Sequence, residues 1–218
     1  TGDFKMDFTP IDGDPTDIQR IAELGKRGLL ALFADSTNVE RPGHSVSEKD
    51  VGDTFIKTFG QVPGRIVVAT FASNLHRVQQ VIYAAEKYNR KVALSGRSMI
   101  NNVRIANELG YLKIKKNTII NMKEVKNYAD DQIVVLSTGT QGEPLSALTR
   151  MANREHKQIS LNEADTVILS SSAIPGNEIA INNTINKLTK IGCNIIYSSL
   201  AKVHASGHAC QEEIKLMY

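Results

Sequence analysis

Cysteine is scarce, with only Cys193 and Cys210 among 218 residues. Two thiols cannot build a disulfide framework of the small secreted kind or a four-cysteine metal site. Both read as packing residues of a reduced, cytoplasmic protein. Long hydrophobic runs are missing as well. No stretch approaches the ~20 apolar residues that cross a bilayer, which excludes a membrane helix. No secretory leader is visible. Neither a Walker loop nor a complete G-x-G-x-x-G follows any apolar run, which removes the usual marks of a stand-alone nucleotide-binding α/β domain. A strong charge imbalance is absent too: a net charge of +3 permits a polyanionic partner without demanding one.

What is present is enough apolar material, 41% of the residues, for one large domain or a domain with a fragment of another. The chain opens on Thr1, Gly2, Asp3, Phe4 and Lys5 without Met, and Tyr218 falls inside what reads as a helix. Both ends read as cuts within a longer protein. From Gly28 onward short apolar runs alternate with helix-period segments. Gly28 to Ala34 reads as a buried strand running into the polar loop Asp35, Ser36, Thr37, Asn38. Ser47 with Asp50, then Phe55 and Phe59, predicts a capped helix. Arg65 to Thr70 and Lys91 to Leu94 read as strands. Between them Leu75, Val78, Val81, Ile82 and Ala85 share one helix face, with Ser73 as its cap. A helix through Val103, Ala106 and Leu109 stops at Gly110. Gln132 to Leu136, Thr166 to Leu169 and Asn194 to Tyr197 complete the strand set, with a helix from Asn177 to Lys190 before the last.

Strand, loop, helix, strand in regular succession predicts right-handed crossovers and an α/β fold, a parallel sheet with helices on both faces. Ligands bind such sheets at loops leaving the C-terminal strand ends. Four of these loops are rich in Ser, Thr, Asn, Gly or His: 35–38, 72–74, 137–143 and 204–208. The first 27 residues differ. Five aspartates (Asp3, Asp7, Asp12, Asp14, Asp17) and Pro10 and Pro15 mark a tail and linker, with a short helix from Asp17 to Leu24.

Each candidate motif has a plain reading beside its chemical one. Gly139 to Gly142 either offers backbone N–H groups to an anion or is a turn at a strand end. His204 and His208 are four apart. Ala205 replaces the glutamate of a zincin pair, and Ser206-Gly207 disfavours helix. A loop with His, Ser and a glycine N–H suits a phosphate better, against a reading as turn residues. Ser73 and Asn74 are either a simple cap or part of an anion-binding helix start, with His76 and Arg77 adding charge. His44 and His156 read as surface histidines. Asp35 either orients an imidazole or closes an Asx-turn.

Taken in order, residues 1–5, 35–38, 71–77, 96–99, 137–144, 175–177 and 206–208 resemble ribonuclease J, of the β-CASP branch of the metallo-β-lactamase superfamily. The resemblance covers nearly the whole chain. It implies that residues 1–27 are the tail of a metallo-β-lactamase domain and its linker, and that 28–218 are a β-CASP domain short of its C-terminal end. It implies a zinc-dependent ribonuclease, 5′-to-3′ exonuclease and endonuclease, acting in mRNA decay and rRNA processing. The alternative is an RNA- or phosphate-binding module without turnover. Asp3 matches an aspartate that bridges two zinc ions; Asp35 and His208 match the acidic and histidine motifs and are the expected catalytic pair. Ala72, Ser73, Asn74, His204, Ala205, Ser206, Gly207 and His208 match segments that hold the RNA phosphates. The family's His-x-His-x-Asp-His motif and remaining histidine ligands are not among these residues. The full-length enzyme is therefore expected to hold two zincs, and this chain alone to be inactive. RNA is the expected partner, with no membrane, and the full-length protein is expected as a homo-oligomer or paired with a paralogue.

Overall fold

The central strands are short runs rich in β-branched residues, and the structure, a computed structural model describing residues 1–218, buries those central runs on both faces. Strand β1 is Ile66–Ala69, β2 Lys91–Ser95, β3 Ile119–Ile120, β4 Ile133–Ser137, β5 Thr166–Leu169 and β6 Asn194–Tyr197. Every residue of β1, β4 and β5 is buried, as a sheet covered on two sides requires. All pairings are parallel, in the order β3-β2-β4-β1-β5-β6.

The helices are α1 Ile18–Lys26, α2 Glu48–Gln61, α3 Leu75–Lys87, α4 Arg97–Glu108, α5 Ala147–Ala152, α6 Glu178–Ile191 and α7 Gln211–Met217. The crossovers through α3 and α4 step to one side of β1, and those through α5 and α6 to the other. With right-handed crossovers the two helix pairs lie on opposite faces of the sheet. On the α5/α6 face, Val67, Ala69, Val135, Val167 and Leu169 pack with Leu148, Met151 and Leu188. The alternate residues Ile66, Val68, Val134, Leu136 and Ile168 are also fully buried, which their period of two assigns to the opposite face.

Two buried arginines tie the N-terminal strand edge. Arg65 binds Asp165 through two hydrogen bonds, of 3.0 and 2.7 Å, joining the entries of β1 and β5. Arg90 donates to the carbonyls of Gly64 (2.7 Å), Phe59 (3.3 Å) and Val62, closing the C-terminal end of α2, where helix carbonyls lack intrahelical partners.

The chain forms two compact units, residues 1–51 with 205–218, and residues 52–204. The second holds the whole sheet. The first is organised around Glu213, fully buried, whose carboxylate takes hydrogen bonds from Met6 N, Ser45 N, Ser45 Oγ and Cys210 N.

Three expectations need correction. Residues 28–34 form no strand; Leu29, Leu30 and Phe33 are 58%, 105% and 82% exposed. A strand needs a ladder partner, and an apolar run reports only its own side chains. The cap of α3 is Asn74, accepting from Arg77 N at 3.0 Å, while Ser73 is exposed. His156 is half-buried: its Nδ1 accepts from Ile159 N at 3.1 Å and its Nε2 meets Ser95 Oγ at 3.0 Å. Both cysteines are buried and unpaired. Burial, then the nearby Asp165, pushes the Cys193 thiol up to about 11.

Candidate functional site

In the first unit, Asp3, Asp35 and His208 place one ligand-type atom each within 4.8 Å of one another. Asp35 is held from two directions. Its Oδ1 accepts from Thr37 Oγ1 at 2.7 Å and Thr37 N at 3.0 Å, an Asx-type turn. Its Oδ2 meets His208 Nδ1 at 2.7 Å. The Thr37 hydroxyl and then the Thr37 N–H, with a further bond from His208, hold its carboxyl far below the usual carboxylate range. An ionised Asp35 has no proton to give, so Nδ1 of His208 must carry the hydrogen of that bond. Nε2 is left as the chemically available nitrogen. The two expected readings of Asp35, turn former and imidazole orienter, thus coexist, one per oxygen.

The backbone around His208 is fixed by Asn38, itself 5% exposed. Its amide donates to Ser206 Oγ at 3.0 Å and to the His208 carbonyl at 3.1 Å. Ser206 Oγ also accepts from His208 N at 3.1 Å. Asp3 is exposed, with its carboxylate bonded to no other residue. Its neighbour Phe4 accepts from Ala209 N at 2.7 Å, which lays Asp3 beside His208. Ala205 is buried and Gly207 exposed.

The second unit carries the remaining expected residues. The crossovers leaving β1 and β5 step away in opposite directions, toward β2 and toward β6, so the loops after these parallel strands flank the sheet's ligand crevice. They are residues 70–74 and 170–177. Ala72 accepts from Asn102 Nδ2 at 3.1 Å; Asn74 N donates to the Phe71 carbonyl at 3.1 Å. His204 Nε2 meets Ser172 Oγ at 3.1 Å. The link between the two loops is Arg77, fully buried, donating to Ser170 O, Ser170 Oγ and Val203 O. That burial corrects the expectation that Arg77 adds charge to an exposed anion site: it ties the start of α3 to the residue before His204 instead. The structure thereby brings Ala72, Ser73, Asn74 and His204 to one crevice.

Gly139 to Gly142 is a packing turn. Gln141 N donates to Glu143 Oε2 at 3.1 Å and Gly142 N to the Gly139 carbonyl at 3.4 Å. A Cβ on Gly142, at φ +71, would lie 2.4 Å from the Ala180 carbonyl carbon. The Gln141 side chain then bridges to Ser172 O and Ile174 N.

Residues without an expected role supply much of this geometry: Glu213, Asn38, Thr37 and Ser172. Asn38 and Thr37 lie within a motif legible in the sequence. Glu213 stands three residues after Cys210, at the spacing of a helix-start glutamate, a signal weakened by a cysteine in the cap position.

Fold and site together define an α/β domain with a doubly wound parallel sheet and an aspartate–histidine pair beside a free carboxylate. The matches narrow that class. Residues 63–188 match the family model of the ribonuclease J β-CASP domain, and the chain belongs to that family. It is 52% identical over 217 residues to ribonuclease J of Thermus thermophilus, 48% to ribonuclease J of Synechocystis and 48% to ribonuclease J 1 of Streptococcus pyogenes. In each case the match covers 100% of this chain but only 38%, 34% and 39% of the relative.

Proposed function

We propose that this chain is the β-CASP portion of a zinc-dependent ribonuclease that hydrolyses RNA 5′-to-3′ and also internally, in mRNA decay and rRNA processing. The observation that carries this reading is the 2.7 Å bond between Asp35 and His208, which leaves Nε2 of His208 and the carboxylate of Asp3 free within one cluster. Residues 1–27 are assigned to the tail of a metallo-β-lactamase domain and 28–218 to the β-CASP domain. The full-length protein acts in the cytoplasm on RNA, as a homo-oligomer or with a paralogue.

The donor set fits a share in a metal centre. Asp3 offers an exposed carboxylate with no competing hydrogen bond, of the oxygen type zinc accepts. A bound zinc pair would supply an activated water and charge neutralisation at the phosphoryl group. His208 then serves the leaving oxygen, hydrogen-bonding or protonating it from Nε2, while ionised Asp35 holds Nδ1–H and stabilises the imidazolium. Ala72, Ser73, Asn74 and His204, with Ala205, Ser206, Gly207 and His208, bind the RNA backbone without reading bases. Ser73 is exposed at the start of α3, and Asn74 N is committed to Phe71, so Ser73 is the open contact of that segment.

The test uses the full-length protein. His208→Ala should lower RNA turnover by roughly 10²- to 10⁴-fold, the range for a positioned acid–base group, with zinc content unchanged. Loss of zinc would make His208 a ligand. Wild-type turnover would reduce 204–208 to a structural turn. RNA binding without turnover in the unmodified protein would leave the non-catalytic clamp as the better reading.

A further inference from the structure

Glu213 has a place in this fold that stabilisation alone does not require. It is fully buried, five residues after His208 in sequence, and takes hydrogen bonds from three separate segments of unit one. Oε1 accepts from Met6 N and Ser45 Oγ, each at 2.8 Å; Oε2 accepts from Ser45 N at 2.6 Å and Cys210 N at 2.9 Å. Met6 follows Asp3 by three residues, and Cys210 follows His208 by two. Between those two anchors runs the Ala209 N to Phe4 O bond, 2.7 Å. The segments that carry Asp3 and His208 are therefore pinned side by side at two points, and Glu213 makes one of them.

Ser45 brings in the third segment. Residues 41–46 also accept from Gln211 N (Arg41 O, 2.9 Å), Glu212 N (Gly43 O, 3.1 Å) and Lys5 Nζ (Val46 O, 2.9 Å). That segment continues from Asn38, whose amide holds the turn before His208, and Asn38 follows Asp35 by three residues. The loop bearing Asp35, the strand of chain bearing Asp3 and the turn bearing His208 thus share a single acceptor.

We infer that Glu213 is the positioning residue of the Asp3–Asp35–His208 cluster, fixing the three supporting segments through four hydrogen bonds to one carboxylate. The inference rests on the ribonuclease reading for its catalytic consequence, though not for its geometry. Only an ionised carboxylate satisfies the site: three N–H groups and a hydroxyl converge on two oxygens. A carboxamide would turn its own NH₂ against two of these donors. Burial alone would raise the Glu213 carboxyl, yet the bonds from Cys210, Ser45 and Met6 outweigh it and hold the group below its ordinary value.

The experiment compares full-length wild type, Glu213→Gln and Ser45→Ala, the last removing one of the four donors. Two quantities are read: the NMR resonance of the His208 Nδ1 proton that faces Asp35, and kcat and KM on a 5′-monophosphorylated RNA. Glu213→Gln should shift or abolish that resonance. It should lower kcat by roughly 10²-fold, the loss expected from a displacement of about 1 Å at the reacting groups, with little change in KM. Ser45→Ala should move both in the same direction by less. A wild-type His208 resonance and kcat in Glu213→Gln, with only a lower melting temperature, would overturn the inference. If Glu213→Gln does not fold, Ser45→Ala decides: an unchanged resonance and kcat overturn it too. If wild type turns over no RNA, the ribonuclease reading fails while the resonance comparison still tests the positioning.

Discussion

Asp35 spends one oxygen on the Thr37 turn and the other on His208, so its carboxylate has little capacity left for a metal ion. That division argues for a carboxylate that orients an imidazole, with Asp3 as the group open to a metal. The ionised form is required throughout the working range. Because the Asp35 carboxyl is depressed, its favourable interactions are complete above the ordinary carboxylate value and are lost only as pH falls through the depressed one. If Asp35 and His208 act as one unit in the full-length enzyme, Asp35→Asn should reduce turnover about as much as His208→Ala, roughly 10²- to 10⁴-fold. The double variant should be little worse than either single. Steady-state rates for the three variants check this, and multiplicative losses would show that the two residues work separately.

At the scale of elements, the core strands were legible because each is a short apolar run bounded by polar residues, and β1, β2, β4, β5 and β6 stand within a residue or two of their expected places. The run at 28–34 has the same composition and forms no strand, since composition carries no information about a pairing partner. The six-residue α5 and two-residue β3 are too short to show a period. Glu213 was illegible for another reason: its partners are mainly backbone N–H groups up to 207 residues away. His156 shows what such contacts change. Its Nδ1 accepts backbone N–H groups, so its Nε2 carries the hydrogen given to Ser95 at the end of β2. That excludes a serine–histidine nucleophile, whose histidine must accept there. Burial, then the positive Arg150, holds the His156 imidazole below the ordinary value of 6.5. The unfolded chain therefore binds a proton more readily than the folded one, and the stability due to this group is present above pH 6.5 and lost as pH falls toward the depressed value. Urea unfolding at pH 7.5 and 5 should show this loss. His156→Asn, which keeps an acceptor near the Nδ1 position without titrating, should show a smaller drop; an equal drop would remove His156 as its source.

Across the whole molecule, apolar burial is unevenly shared between the two units. Residues 52–204 hold the six-stranded sheet and both helix-covered cores. Residues 1–51 with 205–218 bury few apolar side chains, chiefly Met6, Val51, Ala205, Ala209, Cys210 and Ile214. Their order depends on polar contacts instead, above all those to Glu213 and Asn38. Segments with few buried apolar contacts open more readily than packed strands, and functional segments are commonly drawn from that end of the range. Hydrogen exchange on the 218-residue chain should therefore give a graded map. Amides of β1, β4 and β5 should exchange last, at the rate set by global unfolding. Those of residues 18–40 should exchange earliest, with α1 burying no residue and Leu29, Leu30 and Phe33 exposed. Within the first unit, the amides of Met6, Ser45 and Cys210 should stand out as slow, because each donates to the buried Glu213 carboxylate. Exchange of these three at the rate of residues 18–40 would show that the carboxylate does not organise its unit. Protection of the first unit equal to that of the sheet would show that polar contacts hold it as firmly as an apolar core.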